Sequence, residues 1–310
     1  MSVVASAARR MKRRDEAGRS LGTAAKIAIY MVLALLGSTM VLPFVWMLST
    51  SFKEAAEVFA PGMHWIPEKI MWRNYVDAVT AIPFGRMLFN SLLVSVTITF
   101  GQVLTSSLAA FAFARLRFPG RDALFLGYLA TMMVPGVVTM IPVFAVLRIL
   151  GDMVPYEFYF RQTWLGNVIG GDSYFALIAP GLFSAYGTFM LRQFFLTVPR
   201  ELDEAAVIDG CSKFGVFRHV IIPLSGPALA TLVIFTFMWS WRDFMWPLII
   251  NNSIEMQTLP VGLATFQSMF GINWNLLMAA SVIVMLPLIV VFVFCQRFFT
   301  EGIKLTGIKG

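Results

Sequence analysis

Charge is scarce in this sequence. Asp, Glu, Lys and Arg make up 13% of its 310 residues, against roughly 25% in an average soluble domain. So few charged groups cannot coat a water-soluble globule of this size, which excludes a cytosolic enzyme or a secreted domain. Cysteine is scarcer still. Cys211 falls in a polar loop and Cys295 in an apolar run, so neither a structural disulfide nor a thiolate metal site is expected. The two histidines, His64 and His219, lie in different loops and cannot assemble an imidazole centre. No G-x-x-x-x-G-K-[ST] phosphate loop, G-x-S-x-G or H-E-x-x-H occurs, so the chain brings neither a backbone cradle for ATP phosphates nor a familiar catalytic spacing.

Apolar residues, at 58%, are abundant and the mean hydropathy is +0.76. The expected class is an all-α polytopic membrane protein. A bilayer core needs roughly 20 helical residues to cross, and six stretches reach that length: 27–48, 87–113, 123–147, 174–195, 226–249 and 275–298. Prolines within spans, among them Pro43, Pro135, Pro142, Pro180, Pro247 and Pro287, imply kinks; Met133-Val134-Pro135-Gly136 is the sharpest expected bend, a gating hinge or a static packing kink.

The net charge of +7 could suggest a nucleic-acid partner, but the basic residues punctuate apolar runs instead of sharing one exposed face. Seventeen of the 24 Lys and Arg residues fall on one side of the expected spans, from Arg9 to Lys26, Arg115 to Arg121, Arg192 to Arg218 and Arg297 to Lys309. Cytoplasmic loops retain such residues, so both termini are expected in the cytoplasm and no nucleic acid is required. The expected organisation is a basic cytoplasmic segment at 1–26, one transmembrane domain at 27–299 and a cytoplasmic tail at 300–310. Away from the span ends, charged residues reduce to Arg242 and Asp243, too few for a proton-coupled transporter. Energy for uphill transport would have to come from another chain.

The polar cytoplasmic connection, 198–225, reads as two short helices around a break. Glu201, Asp203 and Glu204 suit the first turns of a helix starting near Pro199. Gly210 ends or bends that helix, Phe214, Phe217 and Val220 mark an amphipathic second piece, and Pro223 leads into the fifth span. Ala205 and Ala206 offer a small-residue surface where another backbone can approach, the alternative being a solvated loop packed on its own bundle.

Glu204-Ala205-Ala206, Gly210, Val220, Ile222 and Pro223 stand at the spacing E-A-A, three residues, G, nine residues, I-x-L-P, with Val and Ile as mild departures. This resembles the loop signature of permease subunits in ATP-binding-cassette importers. Ser51-Phe52-Lys53, Asn74-Tyr75, Phe89-Asn90-Ser91, the run Ala110 to Arg115 with Arg117-Phe118-Pro119-Gly120, and the ending Thr306-Gly307-Ile308-Lys309-Gly310 narrow the resemblance to the carbohydrate-uptake branch, maltose type. It covers about residue 27 to 310 and weakens at 151–172, where this chain looks longer. The resemblance implies a type I importer permease fold in the cell inner membrane, no cofactor on this chain, and ATP and Mg on partner ATPases. Glu204, Ala205, Ala206, Asp209, Gly210 and Pro223 would form the coupling loop that docks on those ATPases. A second permease, two ATP-binding-cassette ATPases, an external solute-binding protein and membrane lipid are the implied partners, and a sugar the implied solute, with a glycerol phosphate or an osmolyte as the alternative.

For the solute pathway, Phe235, Trp239, Arg242, Asp243 and Trp246 share a wedge roughly 100° wide if span five is one continuous helix, with Trp241 on the far side. Aromatic faces, a guanidinium and a carboxylate could stack on and hydrogen-bond to a sugar; interfacial Trp anchors and an ion pair with the second permease are the alternative. Asn90 joins this candidate set. Most other polar residues of span two, Ser91, Thr97, Thr99, Gln102, Thr105, Ser106 and Ser107, read as interhelix glue.

Overall fold

A computed structural model describes residues 23–62, 64–153, 171–269 and 273–306. Every regular element among the described residues is helical. Helix α1, Thr23–Ser51, is apolar throughout, and none of its membrane-length window is buried within the chain. It lies against the last helix with its remaining surface uncovered. After the short α2, Arg73–Ala81, the 32-residue α3, Phe84–Arg115, runs through the centre of the bundle. At about 1.5 Å per residue such a helix exceeds a 30 Å hydrocarbon core.

The expected third span is two helices, α4, Arg121–Ala130, and α5, Gly136–Asp152. The axes on either side of Val134 and Pro135 diverge by 100°, so the bend expected at Pro135 is present and sharp. The longer connection expected at 151–172 lies mostly outside the described residues. The fourth span begins with α6, Tyr174–Ile178, tightens at Ala179–Leu182 around Pro180, and continues as α7, Ala185–Thr197. Two short helices follow, α8, Arg200–Ile208, and α9, Lys213–Val216, before α10, Gly226–Trp241.

The fifth span departs most from expectation. α10 stops at Trp241, and α11, Met245–Ile250, is a separate helix. Another helix, α12, Leu259–Met269, fills the connection to the last span and packs on α3; the hydropathy pattern alone does not mark it. α13, Trp274–Thr306, extends past the boundary expected at 299. Among the described residues four helices are long and apolar enough to cross a membrane, and up to six spans result if each bent pair counts as one.

α3 packs against both α7 and α10, and small residues permit the approach. A Cβ on Gly187 of α7 would lie 2.7 Å from Ser106 Oγ of α3 and 3.1 Å from Leu232 of α10, closer than side chains tolerate; a small residue is required at this crossing. Thr105 Oγ1 donates to Leu182 O at 2.6 Å and Ser91 Oγ accepts from Leu259 N at 2.8 Å, so these two span-two hydroxyls link elements, whereas Thr99 and Ser107 donate back to carbonyls of their own helix.

The Ser51-Phe52-Lys53 and Asn74-Tyr75 stretches meet at the end of α1. Ser51 Oγ and Tyr75 Oη are 2.8 Å apart, and Asn74 Nδ2 donates to the carbonyls of Ser51 and Lys53. The Lys53 ammonium, on a residue 2% exposed, donates to His64 O and lies 4.4 Å from the centroid of the Trp46 ring.

Candidate functional site

The segment between α7 and α10 grows out of a hydrophobic seat. Ala110, Phe111 and Ala114 of α3, Leu191 and Phe195 of α7 and Leu232 of α10 form one buried cluster with Val216, Phe217 and Ile221 of the loop. Phe217 sits 5.2 Å ring to ring from Phe111. Residues 217–221 form a π-helical turn, and Pro223 and Pro227, which lack amide donors, flank the turn into α10. The axes of the two segments diverge by 79° there.

α8 stands on this seat with two distinct faces. Asp203 and Ala206 face inward: Ala206 packs on the cluster, and Asp203 Oδ2 lies 3.3 Å from Arg115 Nε. Arg115 closes the last turn of α3, its side chain 4% exposed, and its Nη2 also donates to the carbonyls of Phe195 and Val198 at 2.8 and 2.7 Å. Those carbonyls belong to the frayed end of α7, where a cation satisfies orphan acceptors and complements the helix dipole. One guanidinium therefore joins the ends of two spans to the first turns of α8. The sequence marks Arg115 only as a topology charge and Asp203 only as a dipole partner. Nothing local joins residues 88 positions apart.

The outward face of α8 carries Glu201, Glu204, Ala205 and Ile208, successive residues on one side of a helix, all exposed, with Ile208 85% accessible. Asp209 and Gly210 then close the helix. Gly210 has φ +89°, its amide donates to Val207 O at 3.0 Å, and the Cys211 amide donates to Ala206 O at 2.9 Å. This is the Schellman arrangement, in which the left-handed residue is almost always glycine. A Cβ at Gly210 would meet nothing within 4 Å, so the requirement is set by backbone conformation alone. Ser212 starts the next turn by accepting from Gly215 N at 3.1 Å. Of the expected coupling residues, Glu204, Ala205, Asp209 and Gly210 share one exposed knob, Ala206 belongs to its foot, and Pro223 lies apart at the turn into α10.

The candidate pathway residues divide. Because α10 ends at Trp241, the continuous wedge does not exist. Phe235, Trp239 and Arg242 form an outward stripe along α10, with Trp239 72% exposed. Asp243 and Trp246 turn inward instead. Asp243 Oδ1 accepts from Trp246 N at 3.3 Å and so starts α11, while Trp246 Nε1 donates to Ala176 O at 3.0 Å. Asp243 and Trp246 line, with Ser91, Ser95, Ser240 and Thr258, a cavity of about 10 Å³, the size of one water. The buried hydroxyls of Ser95 and Thr258 find no protein partner. Trp241 lies on the opposite face as expected, fully buried, its Nε1 donating to Val284 O at 3.1 Å.

Asn90 leaves the pathway set. It is 0% exposed, its amide donates to Glu255 O and Gln257 O at 2.8 and 2.9 Å, and its Oδ1 accepts from Tyr174 Oη at 2.6 Å. With these groups committed, it is a clamp between α3, α6 and the 251–258 connection.

Among the described residues no group of three or more His, Cys, Asp or Glu side chains could hold a metal ion.

A family model described as binding-protein-dependent transport system inner membrane component matches residues 102–305. The diacetylchitobiose uptake system permease protein DasC of Streptomyces coelicolor is 32% identical over 274 residues, 87% of this chain and 92% of that protein. The arabinooligosaccharides transport system permease protein AraQ of Halalkalibacterium halodurans is 33% identical over 273 residues, 87% of this chain and 91% of that one. The sn-glycerol-3-phosphate transport system permease protein UgpE of Rhizobium meliloti is 32% identical over 272 residues, 85% and 90% respectively. Among solved structures, a chain of a bacterial ABC transporter involved in import of the acidic polysaccharide alginate superposes with a TM-score of 0.75 at 21% identity, covering 90% of this chain and 99% of its own.

Proposed function

We propose, from the premise that the chain belongs to the family of binding-protein-dependent transport system inner membrane components, that it is the sugar- or oligosaccharide-passing permease of an ATP-binding-cassette importer. It is a multi-pass membrane protein and a transport subunit, and in these systems the ATPase is a separate chain. Relatives named for diacetylchitobiose and arabinooligosaccharides support a saccharide solute, and the glycerol-phosphate relative supplies the competing reading.

In the proposed assembly a second permease covers the uncovered apolar face of α1, and two ATPases carry ATP and Mg. An external solute-binding protein delivers the solute. Both termini and the knob face the cytoplasm of a cell with the chain in its inner membrane, a placement that the distribution of Lys and Arg supports. The observation that carries the reading is the outward face of α8, where Glu201, Glu204, Ala205 and Ile208 are exposed with a small residue at the centre. An ATPase groove gripping that face pushes on Asp203 and Ala206 from behind it, and Arg115 passes the load to α3 and α7. Asp209, Gly210 and Pro223 hold the shape of the knob. Phe235, Trp239 and Arg242 on the outward stripe, with Asp243 and Trp246 at the break, are the proposed solute-side residues.

The test is co-purification: Ile208→Arg is expected to lose the ATPases while the two permeases stay together. Full ATPase retention would refute the docking face. Uptake into proteoliposomes carrying the assembled complex, screened with oligosaccharides and sn-glycerol 3-phosphate, separates the two solutes.

A further inference from the structure

A second site lies beside the foot of the knob. Arg117, Phe118, Gly120, Arg121, Asp122 and Arg200 line an open pocket of about 530 Å³, within the usual range for small-ligand sites. Its three guanidiniums are not equivalent. Arg121 is engaged, its Nε donating to Asp122 Oδ1 at 2.9 Å and its Nη1 to Leu116 O at 3.3 Å. Arg117 and Arg200 are exposed and enter no ion pair or side-chain hydrogen bond among the described residues. The only carboxylate in the lining is therefore already neutralised, and two free cations face the same space. α4, which leads away from the pocket, carries Leu124 and Leu126, 60% and 69% exposed on different sides of the helix, apolar surface suited to acyl chains. An anion-binding rim at the start of a helix with exposed apolar side chains suits an amphiphile with a phosphate head.

We propose that Arg117 and Arg200, steadied by Arg121, bind the phosphate head of an anionic phospholipid of the cytoplasmic leaflet. Basic pockets at the cytoplasmic ends of membrane helices recognise such headgroups. Arg200 is the first residue of α8 and Arg117 follows α3, so the bound headgroup bridges the same two elements that Arg115 and Asp203 join. Lipid occupancy would thereby stiffen the root of the knob. The leaflet assignment rests on the orientation proposed above, but binding itself does not.

The experiment uses the assembled importer in nanodiscs, which expose both leaflets, made of phosphatidylcholine alone or of an equal mixture with phosphatidylglycerol. Lipids retained after detergent extraction are counted by native mass spectrometry. Wild type is expected to retain phosphatidylglycerol in preference to phosphatidylcholine. Arg117→Gln with Arg200→Gln should weaken that retention about thirtyfold, from the usual contribution of two basic residues near a membrane surface. Arg117→Lys with Arg200→Lys should keep most of it. No lipid preference in wild type, or equal retention in the Gln pair, overturns the proposal. Two other results also overturn it: inorganic phosphate displacing phosphatidylglycerol at millimolar concentration, which makes the site one for free anions, and loss of the ATPases from the Gln pair with lipid retention intact, which makes the arginines contacts for an acidic partner surface.

Discussion

The guanidinium of Arg115 lies 3.3 Å from the Asp203 carboxylate, and the two side chains are 4% and 19% exposed. Neither Asp203 Oδ1 nor Arg115 Nε makes a hydrogen bond, so the pair is held by charge, and Arg115 Nη2 serves the Phe195 and Val198 carbonyls. Removing one member of a buried pair strands the other, at a cost of about 3 kcal/mol. Arg115→Gln should destabilise the most, because two carbonyls lose their donor as well. Asp203→Asn should cost less, and the double variant less than the sum of the two. Denaturation of the solubilised complex through a double-mutant cycle checks this; strict additivity would show that the pair is not coupled.

Gly210 allows a graded test. Its φ of +89° with open space around the missing Cβ means that substitutions are penalised by backbone conformation alone. Ala should cost about 1 kcal/mol, Asn less because it tolerates the left-handed region, and Val more. Sugar uptake per complex should fall in the order Gly, Asn, Ala, Val. Were Val the mildest of the three, the Schellman turn would not be what the position requires.

The parts of the fold that local rules govern are legible in the sequence. Pro135 bends the third span, Gly210 ends α8, and Pro199 precedes its start, each from its own backbone constraint. The break after Trp241 is harder to read, since the apolar run resumes after Arg242 and Asp243 and continues through α11. The available signal is Asp243 ahead of Trp246 and Pro247, a helix start pattern. Thr258-Leu259-Pro260 likewise announces α12, an 11-residue helix too short to register as a span. Arg115 with Asp203, and Asn90 with the 255–257 carbonyls, are tertiary meetings that no periodicity encodes.

For Asn90, the geometry separates a clamp from a solute contact. Asn90→Leu leaves the carbonyls of Glu255 and Gln257 and the Tyr174 hydroxyl without their partner, a loss of about 3 kcal/mol. Thermal stability should drop while the relative uptake of different sugars stays unchanged. A changed sugar preference at normal stability would return Asn90 to the pathway.

Asp243 has a structural task and a proposed solute-side one. Asp243→Asn keeps an oxygen for the Trp246 amide, so α11 should remain and only transport should change. Asp243→Ala removes that acceptor at about 1 kcal/mol, so stability falls too. Equal stability of the two variants in thermal melts would argue that the Asp243 oxygen does not hold the start of α11.

The central claim is that motion of the ATPases reaches the spans through the joint of Arg115 and Asp203. It is tested most directly by the ratio of sugar taken up to ATP hydrolysed, measured in proteoliposomes carrying the complete importer with Asp203→Asn. The expected result is ATPase subunits still bound, hydrolysis continuing, and a ratio several-fold below wild type. A wild-type ratio in that variant would contradict the claim.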